Sequence, residues 1–414
     1  MGVTRRTTAV CAAAMALSLM GTAPPARAQG AADAGAATTP TPAPTPLSPE
    51  TLIRAADLRE DARVLRRAWE TMHPGLLRYN TEADIEAAFS GLDAFFQKDR
   101  TLKEAFLAFS EIAAKVRCGH TYVSPFNQRR AVAAALFRGP YVPFHFRWLD
   151  RRMVITKSFA SEPGLSPGVE ALAINGVPVS EILSRLLTLT RADGHNDSKR
   201  IALLEVMGTS RYETFDVYWP LLFPSQKDRI TLSIRGVGER TPRTVDVAPS
   251  PTAQREDKTA PAKPEASNPV GWNFRMLDEG IGFLEMPDWA LYNTKWHWKA
   301  YLNDVFRQLI AAKATALVID LRANEGGSDV GDEIVAHLTT RPAKRQAVER
   351  RVRYRKTPED LNPFLDTWDD SFRDWGQAAL DLDARFFRLR RDADDDPAAP
   401  IAPQAPRFAG RVYA

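Results

Sequence analysis

Thr315-Ala316-Leu317-Val318-Ile319-Asp320-Leu321-Arg322-Ala323-Asn324-Glu325-Gly326-Gly327-Ser328-Asp329 is the stretch on which the reading of this chain turns. It opens as a continuous apolar run rich in β-branched residues, the pattern of a strand buried on both faces. It breaks at a Gly-Gly pair, and Val330, Ile334, Val335 and Leu338 then recur at helical spacing. Ser328 reads as the N-cap of that helix, with Asp329, Asp332 and Glu333 supplying negative charge in its first turn. Upstream, Ile281–Met286 reads as a second buried strand, and Trp298, Leu302, Val305, Phe306 and Leu309 form a helical stripe. Strand, helix and strand in this order predict a right-handed βαβ unit with a parallel pair.

Glycines at a strand-to-helix junction turn the backbone sharply. They also leave amide N–H groups able to face an anion or a developing oxyanion. Spacing alone leaves an ordinary β–α turn equally open. The junction lacks the Lys-Ser/Thr of a phosphate loop and the three glycines of a dinucleotide loop.

Further out, the chain divides by composition. Residues 1–28 combine Arg5-Arg6, an apolar run from Thr8 to Gly21 and Ala26-Arg27-Ala28, and read as a cleaved secretion signal. Residues 29–47 are a Pro/Ala/Thr-rich tether. Residues 48–135 read as a helical domain: Ser48-Pro49-Glu50 starts a helix carrying Leu58, Leu65, Trp69 and Met72, and two more helices follow at 81–96 and 101–117. Residues 140–248 read as a β-rich module, with strands at 141–148 and 153–156, a tight turn at Asn175-Gly176 and a helix from Glu181 to Leu189. Residues 249–270 read as a flexible linker, and 271–414 hold the βαβ unit.

The 414 residues are 44% hydrophobic and 26% charged, the composition of an ordinary globular protein. The net charge of +4 falls to +1 once residues 1–28 and their three arginines are removed, so charge gives no argument for nucleic acid. Two cysteines, Cys11 and Cys118, build no disulfide framework. None of the six histidines has the i, i+4 spacing of a zinc-hydrolase helix, and no cofactor or metal is expected.

His120 stands out in Arg117-Cys118-Gly119-His120-Thr121-Tyr122-Val123, placed by its neighbours at a corner between a helix and an apolar strand. An imidazole there suits a general base, although a structural histidine fits the same pattern. His73 reads as a cap at the end of the first helix, His195 and His297 as solvated surface, and Cys118 as a small buried filler. Arg350–Lys356 reads as the solvated edge of a strand. The aspartates at 392–396 lack the pattern of a calcium loop.

In this order the motifs resemble the tail-specific, or C-terminal processing, serine protease family, which includes the tricorn core. The resemblance rests on Cys118-Gly119-His120-Thr121 after a helical leader, a PDZ-like stretch from Gly164 to Val179, and Asp320–Ser328. It implies a mixed α/β fold: a helical leader, a PDZ-like module and a crotonase-like core. It also implies His120 as general base, an oxyanion-hole amide from Gly326 or Gly327, and protein or peptide substrates of an exported peptidase. The family nucleophile is not Ser328 but a serine after a further strand. That strand is expected at Phe408–Ala414, so the reading expects a C-terminally truncated core that lacks the nucleophile and is inactive as it stands. Val169 follows Gly168 where the PDZ-like pattern has an acid. A secreted, non-catalytic peptide-binding scaffold is the alternative. No nucleic-acid partner and no stable membrane span are expected, and oligomeric state is left open.

Overall fold

A computed structural model describes residues 46–224, 228–251, 255, 268–292, 294–345, 349–367, 369–390 and 399–414. The expected secretion signal, most of the tether, most of the 249–270 linker and the 392–396 acidic run lie outside the described residues.

The leader begins with β1 (Leu52–Ile53) and α1 (Ala55–Met72), followed by α2 (Glu82–Phe95), β2 (Arg100–Thr101) and α3 (Leu102–Lys115). The predicted stripe of α1 is buried: Leu58, Ala62, Leu65, Trp69 and Met72 all face inward. Thr81/Asp84 and Thr101/Glu104 close capping boxes on α2 and α3, each worth about 1 kcal/mol.

The first helix starts later than Ser48 suggests. Ser48 closes a turn with Thr51 instead, Leu52–Ile53 pairs with Arg100–Thr101, and the Asp99 carboxylate accepts from the Ala55 N–H at 2.8 Å. A side chain remote in sequence thus supplies the cap.

After α4 (Arg130–Leu136), the β-rich module follows as β3 (Phe144–Leu149), β4 (Arg152–Ser158), β5 (Glu170–Ile174), β6 (Val177–Pro178), α5 (Val179–Leu187), α6 (Asp197–Leu203), α7 (Thr214–Leu222), β7 (Ile230–Arg235) and β8 (Arg243–Val247). Its antiparallel sheet runs β3-β4-β5-β7-β8, with β6 paired to β5. Asn175 and Gly176 both take positive φ, as a two-residue hairpin turn requires. Leader and module share one hydrophobic core, which includes Trp69, Phe106, Phe144, Phe146, Phe215 and Trp219.

The last region contains β9 (Asn273–Leu277), β10 (Ile281–Glu285), α8 (Trp298–Ala311), β11 (Ala316–Asp320), α9 (Val330–Leu338), β12 (Arg351–Val352), β13 (Ala379–Asp381), β14 (Phe387–Leu389) and β15 (Arg411–Tyr413). The main sheet has the order β15-β11-β10-β9, with β11 parallel to both β10 and β15. The expected βαβ unit is present. Leu302, Val305, Phe306 and Leu309 of α8 pack with Leu284, Leu317, Val330 and Ile334 in a second core. The last helix buries Val330, Ile334, Ala336 and His337, whereas Val335 and Leu338 are only half-buried. Its N-cap is Asp329, not Ser328, and no side chain caps it.

The Arg350–Lys356 run forms a ladder of only two residues, although Val352 and Tyr354 are buried and alternate with charge as expected. Tyr354, Leu361, Leu365 and Phe372 pack back onto Ala68 and Met72 of α1, so the last region is clamped to the leader.

Arg255, within the expected linker, is 1% exposed and ion-paired with the buried Asp216 of α7. Its carbonyl accepts from His145 Nε2 at 2.7 Å. This part of 249–270 is anchored in the first core rather than solvated. Removing one partner of a buried pair leaves the other charge uncompensated, so Asp216→Ala should cost about 3–5 kcal/mol in urea unfolding. A loss below about 1 kcal/mol would show that the pair does not hold the segment.

Candidate functional site

His120 sits on a turn that the end of α3 throws outward. Arg117 takes φ +58° and the Thr121 N–H donates to the Cys118 carbonyl at 3.0 Å. No strand follows. The chain enters a short 3-10 turn at Pro125–Asn127, where proline has no N–H to give a ladder.

The turn is held by residues 191–195, after α5. The Gly119 N–H donates to Asp193 Oδ1 at 3.1 Å, and Arg191 Nη1 donates to the Gly119 carbonyl at 2.8 Å while lying over the Tyr122 ring at 3.8 Å. A Cβ at position 119 would lie 2.9 Å from Asp193 Oδ2, so glycine fits this approach. His195, expected as solvated surface, contacts the Arg117 guanidinium at 3.0 Å.

His120 is exposed, and Cys118 packs against the first core as the filler reading expects but is only half-buried. His73 ends α1 as its C-cap, and its Nε2 lies 2.8 Å from Thr121 Oγ1. Burial pushes the Cys118 thiol up, but hydrogen bonds from His120, His73 and Thr121 outweigh it and lower the thiol to about 5. The His120 imidazole is raised, first by its hydrogen bond to Cys118, against desolvation, with Asp193 adding to the rise and Arg191 opposing it.

The glycine junction is built by side chains of its own motif. As the chain leaves β11, Asp320 grips Arg322 through both carboxylate oxygens, at 2.9 and 2.6 Å, and accepts the Arg322 N–H. These contacts, first among them the side-chain bond to Arg322, hold Asp320 at about 2. Asn324 donates to the Met286 carbonyl at the end of β10 and accepts the Gly326 N–H at 2.7 Å. It therefore stitches the ends of both parallel strands to the turn. Gly327 takes φ +141°, and a Cβ there would lie 2.2 Å from the Trp289 carbonyl oxygen. Trp289 also accepts the Ser328 N–H at 2.8 Å.

The two glycines consequently differ. The Gly326 amide is occupied by Asn324, and no described residue accepts from the Gly327 amide.

Between the turn and the junction stands Glu325. It bonds Lys199 Nζ of α6 at 2.5 Å, which is the first cause of its lowered carboxyl, and the charges of Arg191 and His120 lower it further. The structure thus places His120 and the junction in one electrostatic neighbourhood, although about two hundred residues separate them. Asp193 and Lys199 escaped the sequence reading, while His73 was read only as the helix cap it is. Asn324 was read only as part of the Asp320–Ser328 run, although an Asn two residues before a Gly-Gly turn is a signal of its own.

Among the described residues no group of three or more His, Cys, Asp or Glu side chains is placed to hold a metal, and no helix is long and apolar enough to cross a membrane. A cleft of about 370 Å³, lined by Trp69, Tyr79, Asp84, Phe89, Lys115 and Arg117 among others, does not include His120, Gly326 or Gly327.

Residues 280–396 match the model of peptidase family S41, which bears out the resemblance to tail-specific proteases. Among solved structures, a CPAF mutant is 15% identical, with a TM-score of 0.51, over 86% of this chain and 78% of that one. That likeness agrees with the expected mixed α/β fold. Mature CPAF is 14% identical with a TM-score of 0.45, and this chain covers 62% of its length and 74% of its own. A photosystem II D1 C-terminal processing protease is 14% identical with a TM-score of 0.26, covering 68% of this chain and 64% of that one. No curated protein matches the chain significantly.

The two glycines should respond differently to alanine. Gly326 has open space around a Cβ and a φ of +98°, so Gly326→Ala should cost only backbone strain, about 1–3 kcal/mol. Gly327→Ala meets the Trp289 backbone as well and should lower the thermal midpoint further and change Trp fluorescence. Equal losses from the two variants would contradict this packing.

Proposed function

We propose that this chain is the leader, PDZ-like and core part of an exported serine-type peptidase acting on protein or peptide substrates. The observation that carries it is the junction of the S41-matched segment lying in the field of His120, with a free backbone amide at Gly327. Acyl transfer needs a base beside a hydroxyl nucleophile and a donor where the oxyanion forms. His120 in its neutral form takes the serine proton. Gly327 donates to the oxyanion, and Gly326 shapes the turn with its own amide held by Asn324.

The nucleophile in this reading is a serine other than Ser328, which lies in the turn that leads into α9. Residues 1–28 direct export to a periplasmic or extracellular compartment. A non-catalytic peptide-binding scaffold remains the second reading.

The test is a fluorophosphonate probe, which labels activated serines. Ser328 should take no label, and the protein that carries the nucleophilic serine should be labelled there and should hydrolyse an unfolded protein. In that protein His120→Ala should lower turnover by about 10²–10⁴-fold. Because a base must be unprotonated and His120 is raised, the acid limb of the rate profile should fall above the ordinary histidine value of about 6.5. Labelling at Ser328, or normal turnover without His120, would overturn the assignment.

A further inference from the structure

We propose that the cleft among the three leader helices is a ligand site for a small zwitterion with an apolar side chain, an α-amino acid or dipeptide, and that it is joined to the turn carrying His120.

The cleft measures about 370 Å³, a size at which small-molecule sites are found. Its floor is apolar. Trp69 of α1, Ile85 and Phe89 of α2 and Ile112 of α3 line it, and all four are buried in the first core. Around that floor stand Tyr79, Asn80, Asp84, Lys115 and Arg117. Most of them keep hydrogen-bonding capacity that no described residue uses. Arg117 meets His195 through Nη1, which leaves Nε and Nη2. Asn80 donates Nδ2 to the Val116 carbonyl at 3.2 Å, which leaves Oδ1. Asp84 accepts the Thr81 N–H and hydroxyl on Oδ2, which leaves Oδ1. Tyr79 meets its neighbours through its ring, which leaves the hydroxyl.

These groups divide by sign. Arg117 and Lys115 are cations, the second paired with Glu111 at 3.2 Å, and Asp84 is an anion. Asp84 and Arg117 line one cleft without forming an ion pair. The bonds from Thr81 lower the Asp84 carboxyl first, and the charge of Arg117 lowers it further. Opposite charges that feel each other without touching leave room for a ligand that carries both. A carboxylate on Arg117 Nε and Nη2 makes the forked pairing that a guanidinium favours. An ammonium fits Asp84 Oδ1 and Asn80 Oδ1, both acceptors. A bare anion would meet Asp84, and a bare cation Arg117 and Lys115, as like charges. The floor takes the apolar side chain.

Two of the cleft residues also touch the loop that holds the His120 turn. The Arg117 carbonyl accepts the Gly194 N–H at 2.9 Å, and the Tyr79 ring lies 3.1 Å from where a Cβ on Gly194 would stand. The neighbouring Asp193 accepts the Gly119 N–H, one residue before His120. A ligand that draws on Arg117 and Tyr79 therefore acts on residues 193–194 and through them on the turn. Peptide hydrolysis ends in zwitterions of this kind, so under the proposed function the cleft registers product; binding itself does not rest on that function.

The test is an NMR titration of the unaltered protein with L-phenylalanine and with the dipeptide L-phenylalanyl-L-phenylalanine. N-acetyl-L-phenylalanine, which lacks the ammonium, and L-phenylalaninamide, which lacks the carboxylate, serve as controls. At least one zwitterion should bind with a Kd of about 1 mM or tighter, and the tighter of the two gives the spacing of charges that the cleft accepts. Each control should bind about 10-fold or more weakly than its parent. Binding should also move the His120 ring signals. Arg117→Gln should weaken binding about 10-fold or more, and Ala87→Trp, on the exposed lining of the cleft, should block it. No saturable binding of either zwitterion, or equal binding of the controls, overturns the site without any variant having to fold. Binding undisturbed by Ala87→Trp places the ligand elsewhere and overturns it as well. Saturation that leaves the His120 signals unmoved overturns the link to the turn.

Discussion

The backbone of Gly327 passes the carbonyl of Trp289 with no room for a side chain, and the geometry of the junction follows from that approach. Trp289 lies just beyond β10, and Gly327 just beyond β11, so the contact extends the parallel pairing past the ends of both strands. Asn324 fixes the same region from its other side through Met286 and Gly326, and the Asp320–Arg322 pair sets the angle at which the chain leaves the strand. Three side chains of one short motif, Asp320, Arg322 and Asn324, thus convert a parallel strand pair into a turn with one amide engaged and the next available among the described residues. The chemistry asked of Gly327 depends on this division, because an oxyanion donor stabilises only if it is aimed beforehand and not already bonded.

The second half of the site is brought in by packing rather than by the motif. Leader and β-rich module share one core, so the turn carrying His120 inherits a fixed position relative to residues 191–199. Tyr354, Leu361, Leu365 and Phe372 pack on Ala68 and Met72 of α1, the helix that His73 caps. The Lys199–Glu325 pair then spans the gap between the two cores. Both side chains are substantially exposed, so it contributes little to stability, in the range of about 0–1 kcal/mol. Its effect is on orientation and on the field at His120.

Much of this was legible in the chain. The stripes of α1, α3 and α8, the apolar runs of β10 and β11 and the Asn175-Gly176 turn follow from period and turn chemistry, which are local properties. The junction could be located because glycines and a strand-to-helix change in period coincide. What the sequence did not disclose depends on distant partners. Asp99 caps α1 from across the leader, which displaced the helix start from Ser48. Arg255 looks like part of a polar linker until Asp216 is placed beside it. Cys118 and His120 were placed at the start of a strand, whereas they lie on a turn closed by the Thr121 N–H on the Cys118 carbonyl. Lys199 and Asp193 carry no motif, and only the fold gives them a role.

The claim that the His120 turn and the glycine junction form one site is tested most directly by titrating His120 through its ring protons in Glu325→Gln. Glu325 carries the only charge of the junction motif that interacts with both Lys199 and His120 among the described residues. A carboxylate near the ring stabilises the imidazolium, so removing it should shift the His120 midpoint downward while the other histidines keep theirs. An unchanged His120 midpoint in a folded Glu325→Gln protein would place the two segments apart and contradict the account.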